Sequence, residues 1–71
     1  MLVTALAHQM IEVKAEIFEI SGRYNVSGVT EMESRYRDGT LEEADSRRDL
    51  QRLDHLEHRR DRLSQLLKVV G

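Results

Sequence analysis

The apolar residues of the first twenty positions follow a spacing that places them on one side of a helix. Six of them succeed one another at intervals of 3, 4, 3, 4 and 3 residues. They are Val3, Leu6, Met10, Val13, Ile17 and Ile20. Because a helix returns to the same side every three to four residues, this seam predicts a helix over about residues 2–21, which Gly22 is expected to end. Ala7, Ile11 and Phe18 widen the apolar surface, so we expect this helix to face more than one neighbour.

A second apolar series occupies the last third of the chain and keeps the same spacing when Arg60 is counted in the slot between Leu56 and Leu63. Its members are Leu53, Leu56, Leu63, Leu67 and Val70. The run Thr40-Leu41-Glu42-Glu43 has the form of a capping box, so we predict a helix over about residues 41–69. Acid–base pairs spaced three or four residues apart are expected to support this helix. The pairs are Glu43–Arg47, Asp45–Arg48, Asp49–Arg52 and Glu57–Arg60.

A short helix is predicted between the two long ones, over about residues 29–38. Ser27 or Thr30 is expected to cap its beginning, and the segment Thr30-x-x-Glu33 has the form of a capping box. Gly39 directly follows the predicted helix, and we expect it to end that helix in the left-handed conformation. No proline interrupts any of the three helices.

The chain is short for a stable monomer. It has 71 residues, no cysteine, one Phe, two Tyr and no Trp. A domain of this size buries only about 60% of its unfolded surface and commonly needs disulfides, a metal or association. Without cysteines, we expect association. The prediction is one all-α domain over residues 1–71, a short bundle of two long helices with a short helix between them, packing as a homodimer with coiled-coil-like seams.

The predicted interface combines the first helix with the C-terminal half of the third. Its residues are Val3, Leu6, Met10, Val13, Ile17, Ile20, Leu53, Leu56, Arg60, Leu63 and Leu67. Two interpretations of Arg60, which interrupts the leucines, remain open. In the first, the aliphatic stem of Arg60 covers the seam while its guanidinium reaches solvent. Alternatively, it forms a register-fixing contact with an acid on a facing helix, such as Glu12 or Glu16.

The charge balance argues against nucleic acid and membrane partners. Acids and bases nearly cancel, for a net charge of −2, whereas nucleic-acid binding usually needs a basic excess on some face. The N-terminal segment MLVTALAHQMIEVKAEIF lacks the basic region of a signal peptide, and polar residues interrupt its apolar run. No stretch is long and apolar enough to span a bilayer. We expect a soluble, cytoplasmic protein.

The segment Arg52–Leu63, RLDHLEHRRDRL, places two histidines among carboxylates and raises the question of a metal site. Ligands from one helix hold a metal only when another element completes the shell, and no other cluster of donors occurs in the sequence. Six arginines between positions 47 and 62 also compete for the carboxylates. We expect no metal here. His58 is expected to pair with Asp54 or Asp61 in solvent.

The sequence offers little support for catalysis. Serines and threonines fall at helix caps or ends, without the histidine and acid arrangement that activates a nucleophile. There is no glycine-rich phosphate loop. A helical chain of this length also has little room for a pocket that excludes water. We predict a protein that is not an enzyme and takes no cofactor.

A helix-turn-helix is the alternative interpretation of residues 19–36. Asn25 stands where a turn glycine is usual, and asparagine tolerates the left-handed conformation. In such a motif the second helix would present Glu31 and Glu33 to DNA, and these acids repel phosphate. A small DNA-binding transcriptional regulator that uses this degenerate motif is kept as the alternative function.

The order of short motifs along the chain resembles a group of small helical proteins. The motifs are RYNVS at 23–27, EMESRYRDGTL at 31–41 and LSQLL at 63–67. They are similar to the pattern KYGMS, EFxxRYxxGxL and paired leucines of small bacterial and archaeal proteins encoded beside toxins and treated as antitoxin-like. The resemblance implies a non-catalytic, antitoxin-like regulator that binds a partner protein. Together with the apolar seams, it favours a helical protein-interaction and oligomerisation module.

Overall fold

Three helices account for the computed structural model, which describes residues 1–70. They are α1 (Leu2–Tyr24), α2 (Val29–Asp38) and α3 (Glu43–Val70), and no strand occurs within these residues. The all-α fold, with a short helix between two long ones, is confirmed. The chain measures 45 × 17 × 16 Å, so the two long helices set its shape.

Most of the core lies between α1 and α3, which run antiparallel, and Val26 and Met32 of the α1–α2 corner and α2 complete it. Early residues of α1 meet late residues of α3, and an ion pair between Glu16 and Arg52 joins their middles at 2.8 Å. The buried apolar side chains are Leu6, Val13, Ile20, Val26, Met32, Leu53, Leu56 and Leu63. Full burial of one such side chain contributes about 1.5–3 kcal/mol. The predicted seams of both helices are therefore packed against each other inside one chain.

The helix α1 ends three residues later than predicted. Gly22 lies inside the helix, and Asn25 takes the left-handed conformation with φ 54° and ψ 48°. The backbone N–H of Asn25 donates to the carbonyl of Gly22, and that of Val26 to the carbonyl of Ser21. Val26 is buried in the core. The prediction at Gly22 was wrong because the buried side chain of Val26 and the Asn25 turn determine where the helix ends.

The beginning of α2 is capped from another helix. Gly28 is the N-cap residue, and neither Ser27 nor Thr30 caps the helix, so both capping predictions were wrong. Oε2 of Glu57, on α3, accepts the backbone N–H of Val29 at 2.9 Å. A Cβ on Gly28 would lie 2.6 Å from the same oxygen. The glycine leaves room for a carboxylate that a local sequence pattern does not reveal.

The corner between α2 and α3 confirms one expectation and corrects another. Gly39 ends α2 in the left-handed conformation, with φ 81°, as predicted. The helix α3, however, begins at Glu43. Thr40 donates its backbone N–H and its hydroxyl to Oδ1 of Asp38, at 2.9 and 2.6 Å, and these bonds lower the pKa of the Asp38 carboxyl. The capping box predicted at Thr40 does not form because Thr40 is turned back toward α2.

The surface charges pair differently from the prediction. Within residues 1–70 none of the four expected pairs along α3 forms an ion pair. The pairs observed include Arg23–Glu19 and Arg35–Glu31 within helices, and Arg23–Asp49 between helices. Exposed pairs of either kind contribute little to stability, at most about 1 kcal/mol each.

Candidate interaction surface

The structure places most residues of the predicted interface inside the monomer. Those that are buried are Leu6, Val13, Ile20, Leu53, Leu56 and Leu63. Met10, Ile17 and Leu67 are partly buried against them. Val3 is 45% exposed, and Arg60 lies half-buried beside the N-terminal end of α2. The seam is therefore already covered within one chain. Association of two copies through it is not tested by these contacts and stays a prediction.

The helix α1 carries a second, mostly apolar stripe that is largely exposed within residues 1–70. We call Leu6, Met10, Val13, Ile17 and Ile20 the inner stripe, and Thr4, Ala7, Ile11, Ala15 and Phe18 the outer stripe. At about 100° per residue, the centres of the two stripes are roughly 140° apart around the helix. Ile11 is 66% exposed and Phe18 is 81% exposed. The expectation that this helix faces more than one neighbour stays a prediction.

The outer stripe is symmetric about its centre. Its five residues follow at intervals of 3, 4, 4 and 3, so Ala7 and Ala15 are equally far from Ile11. Thr4 and Phe18 are also equidistant from it. The three acids of α1, at positions 12, 16 and 19, lie outside the stripe. A stripe of this kind matches itself when a second copy is laid across it in the opposite direction.

Between α1 and the C-terminal half of α3, the chain forms an open groove of about 520 Å³ on the other flank of α1. Its lining consists of Leu6, Gln9, His55, His58, Arg59, Arg62, Leu63 and Leu66. His58 pairs with Asp54, Nδ1 to Oδ2 at 3.6 Å, and both side chains are exposed, as predicted. Within residues 1–70 no group of three or more histidine or acidic side chains is placed to hold a metal ion.

Arg60 does not form the register-fixing contact considered for it. Its guanidinium binds the neighbouring Asp61 at 3.1 Å, and it meets neither Glu12 nor Glu16. The arginine that contacts Glu16 is Arg52, whose Nε and Nη2 donate to Oε2 of Glu16 at 3.1 and 2.8 Å. The spacing that placed Arg60 in the seam could not show that it turns toward the N-terminal end of α2.

Two tyrosine hydroxyls, one near the end of α1 and one in α2, form hydrogen bonds with side chains of α3. Sequence patterns did not reveal either contact. The Tyr24 hydroxyl donates to the carboxylate of Asp49. This bond, with burial, raises the pKa of Tyr24 to about 12. The Tyr36 hydroxyl lies 2.6 Å from the hydroxyl of Ser46, which donates to the backbone carbonyl of Glu42. The chain has only two tyrosines, and their positions near predicted helix ends were the only sequence feature that pointed to these two contacts.

The segment predicted as an alternative helix-turn-helix forms a corner between α1 and α2. Arg35 holds this corner by donating to the backbone carbonyls of Tyr24 and Asn25 at 3.0 and 2.9 Å. Asn25 occupies the left-handed position that this interpretation required. The exposed residues of α2 include Glu33 and Arg37, so its outer surface carries both signs of charge.

Comparison with known proteins identifies the family alone. Across the described residues, none of the helices is both long and apolar enough to cross a membrane. No curated protein and no solved structure matches the chain. The profile of one family matches residues 2–70, which is nearly the whole chain. On this match the chain belongs to the Uncharacterized protein MJ0235 family.

Proposed function

We propose that this protein is a non-catalytic interaction module that forms a homodimer through the outer stripe of α1. The observation that carries the proposal is the exposure of Ile11 and Phe18, which face solvent although they continue the apolar surface of a helix whose core side is already satisfied. Leaving large apolar side chains in water has a free-energy cost of about 25 cal/mol per Å², which association removes.

A second copy is the occupant that fits the outer stripe best. An isologous interface needs a surface that complements itself after a twofold rotation. With Ile11 on the twofold axis, Ala7 of one copy faces Ala15 of the other, and Thr4 faces Phe18. The small residues then allow two helices to approach closely, and the large ring of Phe18 lies over a smaller residue. The spacing of the stripe supports this antiparallel pairing.

The proposed dimer is weak. The outer stripe runs over fifteen residues, from Thr4 to Phe18, and its ends are about 21 Å apart along the helix axis. Stable protein interfaces bury roughly 1,200–2,000 Å², and one helix of this length per copy is at the low end of that range. We expect a dissociation constant of micromolar order, so monomer and dimer exchange at working concentrations.

The antitoxin-like regulator is the sharper form of the proposal. It rests on the resemblance of RYNVS, EMESRYRDGTL and LSQLL to the motifs of that group. A weak homodimer with further exposed surface suits a regulator that exchanges its own copy for a partner protein. A toxin-like gene beside the gene for this chain would support this form of the proposal.

The experiment compares Phe18→Glu with Val69→Glu by sedimentation velocity over a range of concentrations. Both residues are apolar and exposed, at 81% and 84%, but only Phe18 lies on the outer stripe. We expect Phe18→Glu to be a folded monomer and Val69→Glu to dimerise like the original chain. A monomeric original chain at the highest concentration, or a dimer that survives in Phe18→Glu, would show that the outer stripe is not the interface.

A mobility-shift assay with a random duplex tests the DNA-binding alternative on the same samples. Because binding to phosphates weakens steeply with salt, a salt-sensitive shift at micromolar protein would favour that alternative over the interaction module.

A further inference from the structure

The groove between α1 and α3 is a second surface, separate from the outer stripe. At about 100° per residue, Gln9 on its rim lies nearly opposite Phe18 around α1. The groove has three leucines in its lining, Leu6 from α1 with Leu63 and Leu66 from α3. Leu6 and Leu63 are buried, whereas Leu66 is 42% exposed. The two helices therefore leave an apolar trough that is open to solvent.

The rim of the groove on α3 carries two arginine cations and two histidines. His55, His58, Arg59 and Arg62 are spaced i, i+3, i+4 and i+7, which brings them to one side of the helix. No acidic residue lines the groove in the described part of the chain. Arg59 and Arg62 form no ion pair within residues 1–70. Of the residues that line the groove, the two with a permanent charge are therefore Arg59 and Arg62.

We propose that this groove binds an acidic amphipathic helix of a partner protein, which packs as a third helix against α1 and α3. Apolar side chains of that helix, at i, i+3, i+4 and i+7, would cover Leu66 and extend the core, as in other helix-in-groove complexes. Its flanking carboxylates would meet Arg59 and Arg62, whose guanidinium groups bind carboxylates in a bidentate geometry. The inference names the partner class of the interaction module and rests on that proposed function, but it does not require the dimer.

The openness of the groove favours a helix over a small molecule. Pockets for small ligands bury about 70–90% of the ligand surface. Here the side chain of His58 is 78% exposed and the groove has only two walls, so a fatty acid would remain largely in water. A helix needs cover on only one face, and two antiparallel helices provide that cover.

The test uses a synthetic three-heptad peptide with leucine at the core positions and glutamate on both flanks. A matched peptide has lysine in place of each glutamate. Binding is followed by fluorescence anisotropy of the labelled peptide and by the imidazole NMR signals of the chain. The chain has three histidines, and His8 lies outside the groove, so its signal is the internal reference. We expect the glutamate peptide to bind at least about tenfold more tightly than the lysine peptide and to shift His55 and His58 alone.

Two double variants separate the groove from general electrostatics. Arg59→Ala with Arg62→Ala removes two charges from the rim, and Arg37→Ala with Arg47→Ala removes two exposed charges elsewhere. We expect the first pair to weaken binding of the glutamate peptide about tenfold and the second to weaken it less than about twofold. All four arginines are outside the core, so circular dichroism should show both variants folded.

Several results of these experiments would overturn the proposal that the groove binds an acidic helix. Equal loss in both double variants, or equal binding of the two peptides, would mean that no groove-specific recognition exists. Shifts of His55 and His58 by dodecanoate but not by the peptide would assign the groove to a small amphiphile. Displacement of the peptide by a random DNA duplex would assign it to nucleic acid.

A further measurement separates this inference from the proposed dimer. The glutamate peptide is titrated into the Phe18→Glu variant, in which the outer stripe is disabled. Unchanged affinity supports the groove as the binding site, whether or not the original chain dimerises. Loss of binding would show that the peptide occupies the outer stripe, and the groove would then have no role.

Discussion

The inner and outer stripes of α1 lie on one helix but have opposite surroundings. The inner stripe faces α3, and Val13 at its centre is only 3% exposed, whereas Phe18 in the outer stripe is 81% exposed. Both stripes follow the helical period along the same twenty residues. The difference lies in what covers them. α3 has only one apolar side, flanked by charged residues, so it covers one stripe and leaves the other exposed.

The comparison separates folding from association. Burial of the inner stripe stabilises the monomer, because its side chains leave water when α1 packs on α3. The outer stripe is mostly exposed and contributes little to the fold of a single chain, and its apolar surface would be covered only in the proposed dimer. Substitutions in the two stripes should therefore have effects on different measurements, even when the chemical change is the same.

The largest expected effect is that of Val13→Glu. A carboxylate at this buried position has no partner among the leucines of α3, and the change should lower the free energy of unfolding by about 4 kcal/mol or prevent folding. Phe18→Glu makes the same kind of change on the outer stripe. At concentrations where the chain is monomeric, its melting temperature by circular dichroism should match that of the original chain. Equal loss of stability in both variants would mean that the two stripes do not differ as described.

The hydrogen bond of Tyr24 lies at the end of the inner stripe and makes the free energy of unfolding decrease at alkaline pH. The pKa of Tyr24 rises from 10.0 to about 12 in the folded chain, chiefly because its hydroxyl donates to Asp49. The folded state keeps this proton longer than the unfolded state. The contribution is therefore fully present below pH 10 and is lost as pH rises through 12.

Tyr24→Phe tests this contribution. It should lower stability at neutral pH by about 1.5 kcal/mol, through loss of a hydrogen bond to a charged group. It should also remove the fraction of the alkaline decline that belongs to this residue. Denaturant unfolding from neutral to alkaline pH, with Tyr36→Phe as the control, makes the measurement. A decline of equal size in Tyr24→Phe would assign it to other groups.

Two glycine substitutions test the ends of the helices that present the stripes. Gly39→Ala should lower stability by about 1 kcal/mol, since alanine is strained at φ 81°. Gly22→Ala should raise it by about 0.5–1 kcal/mol, because Gly22 lies inside α1 with open space where a Cβ would be. Thermal melts of both variants give the signs. If Gly39→Ala melted at an equal or higher temperature, α2 and α3 would form one continuous helix and the corner would be wrong.

The smallest expected effect is that of Ser21→Ala, at the end of α1. The Ser21 hydroxyl is buried and has no hydrogen-bond partner within residues 1–70. Replacing it with alanine removes an unsatisfied polar group and introduces the best helix former, so stability should rise by about 0.5 kcal/mol. Denaturant unfolding resolves a change of this size when Ser34→Ala, an exposed serine of α2, is measured beside it. No gain over Ser34→Ala would indicate that the hydroxyl is satisfied in solution.

Sequence patterns were most reliable where the signal is local and repeated. The 3/4 spacing located α1 and α3, and Gly39 ended α2 where it was expected. Patterns failed where burial in the core or a residue distant in sequence intervened. Gly22 continues the helix because Val26 is anchored in the core, and α2 is capped by Glu57, which lies 28 residues away in sequence. The arginine that pairs with Glu16 is Arg52, which sequence spacing had assigned to a pair with Asp49.

By itself, the sequence determined that this chain is helical, where its helices lie and which side of each is apolar, because the spacing of side chains around a helix depends only on their order. The tertiary structure decided which of those sides is covered. α3 folds back on α1 from the corner at Gly39 and buries the inner stripe. The outer stripe remains largely in solvent, and the same packing forms the groove that Arg59 and Arg62 line. That choice depends on which helices meet and at what rotation, and these are properties of the packed core that no single helix contains.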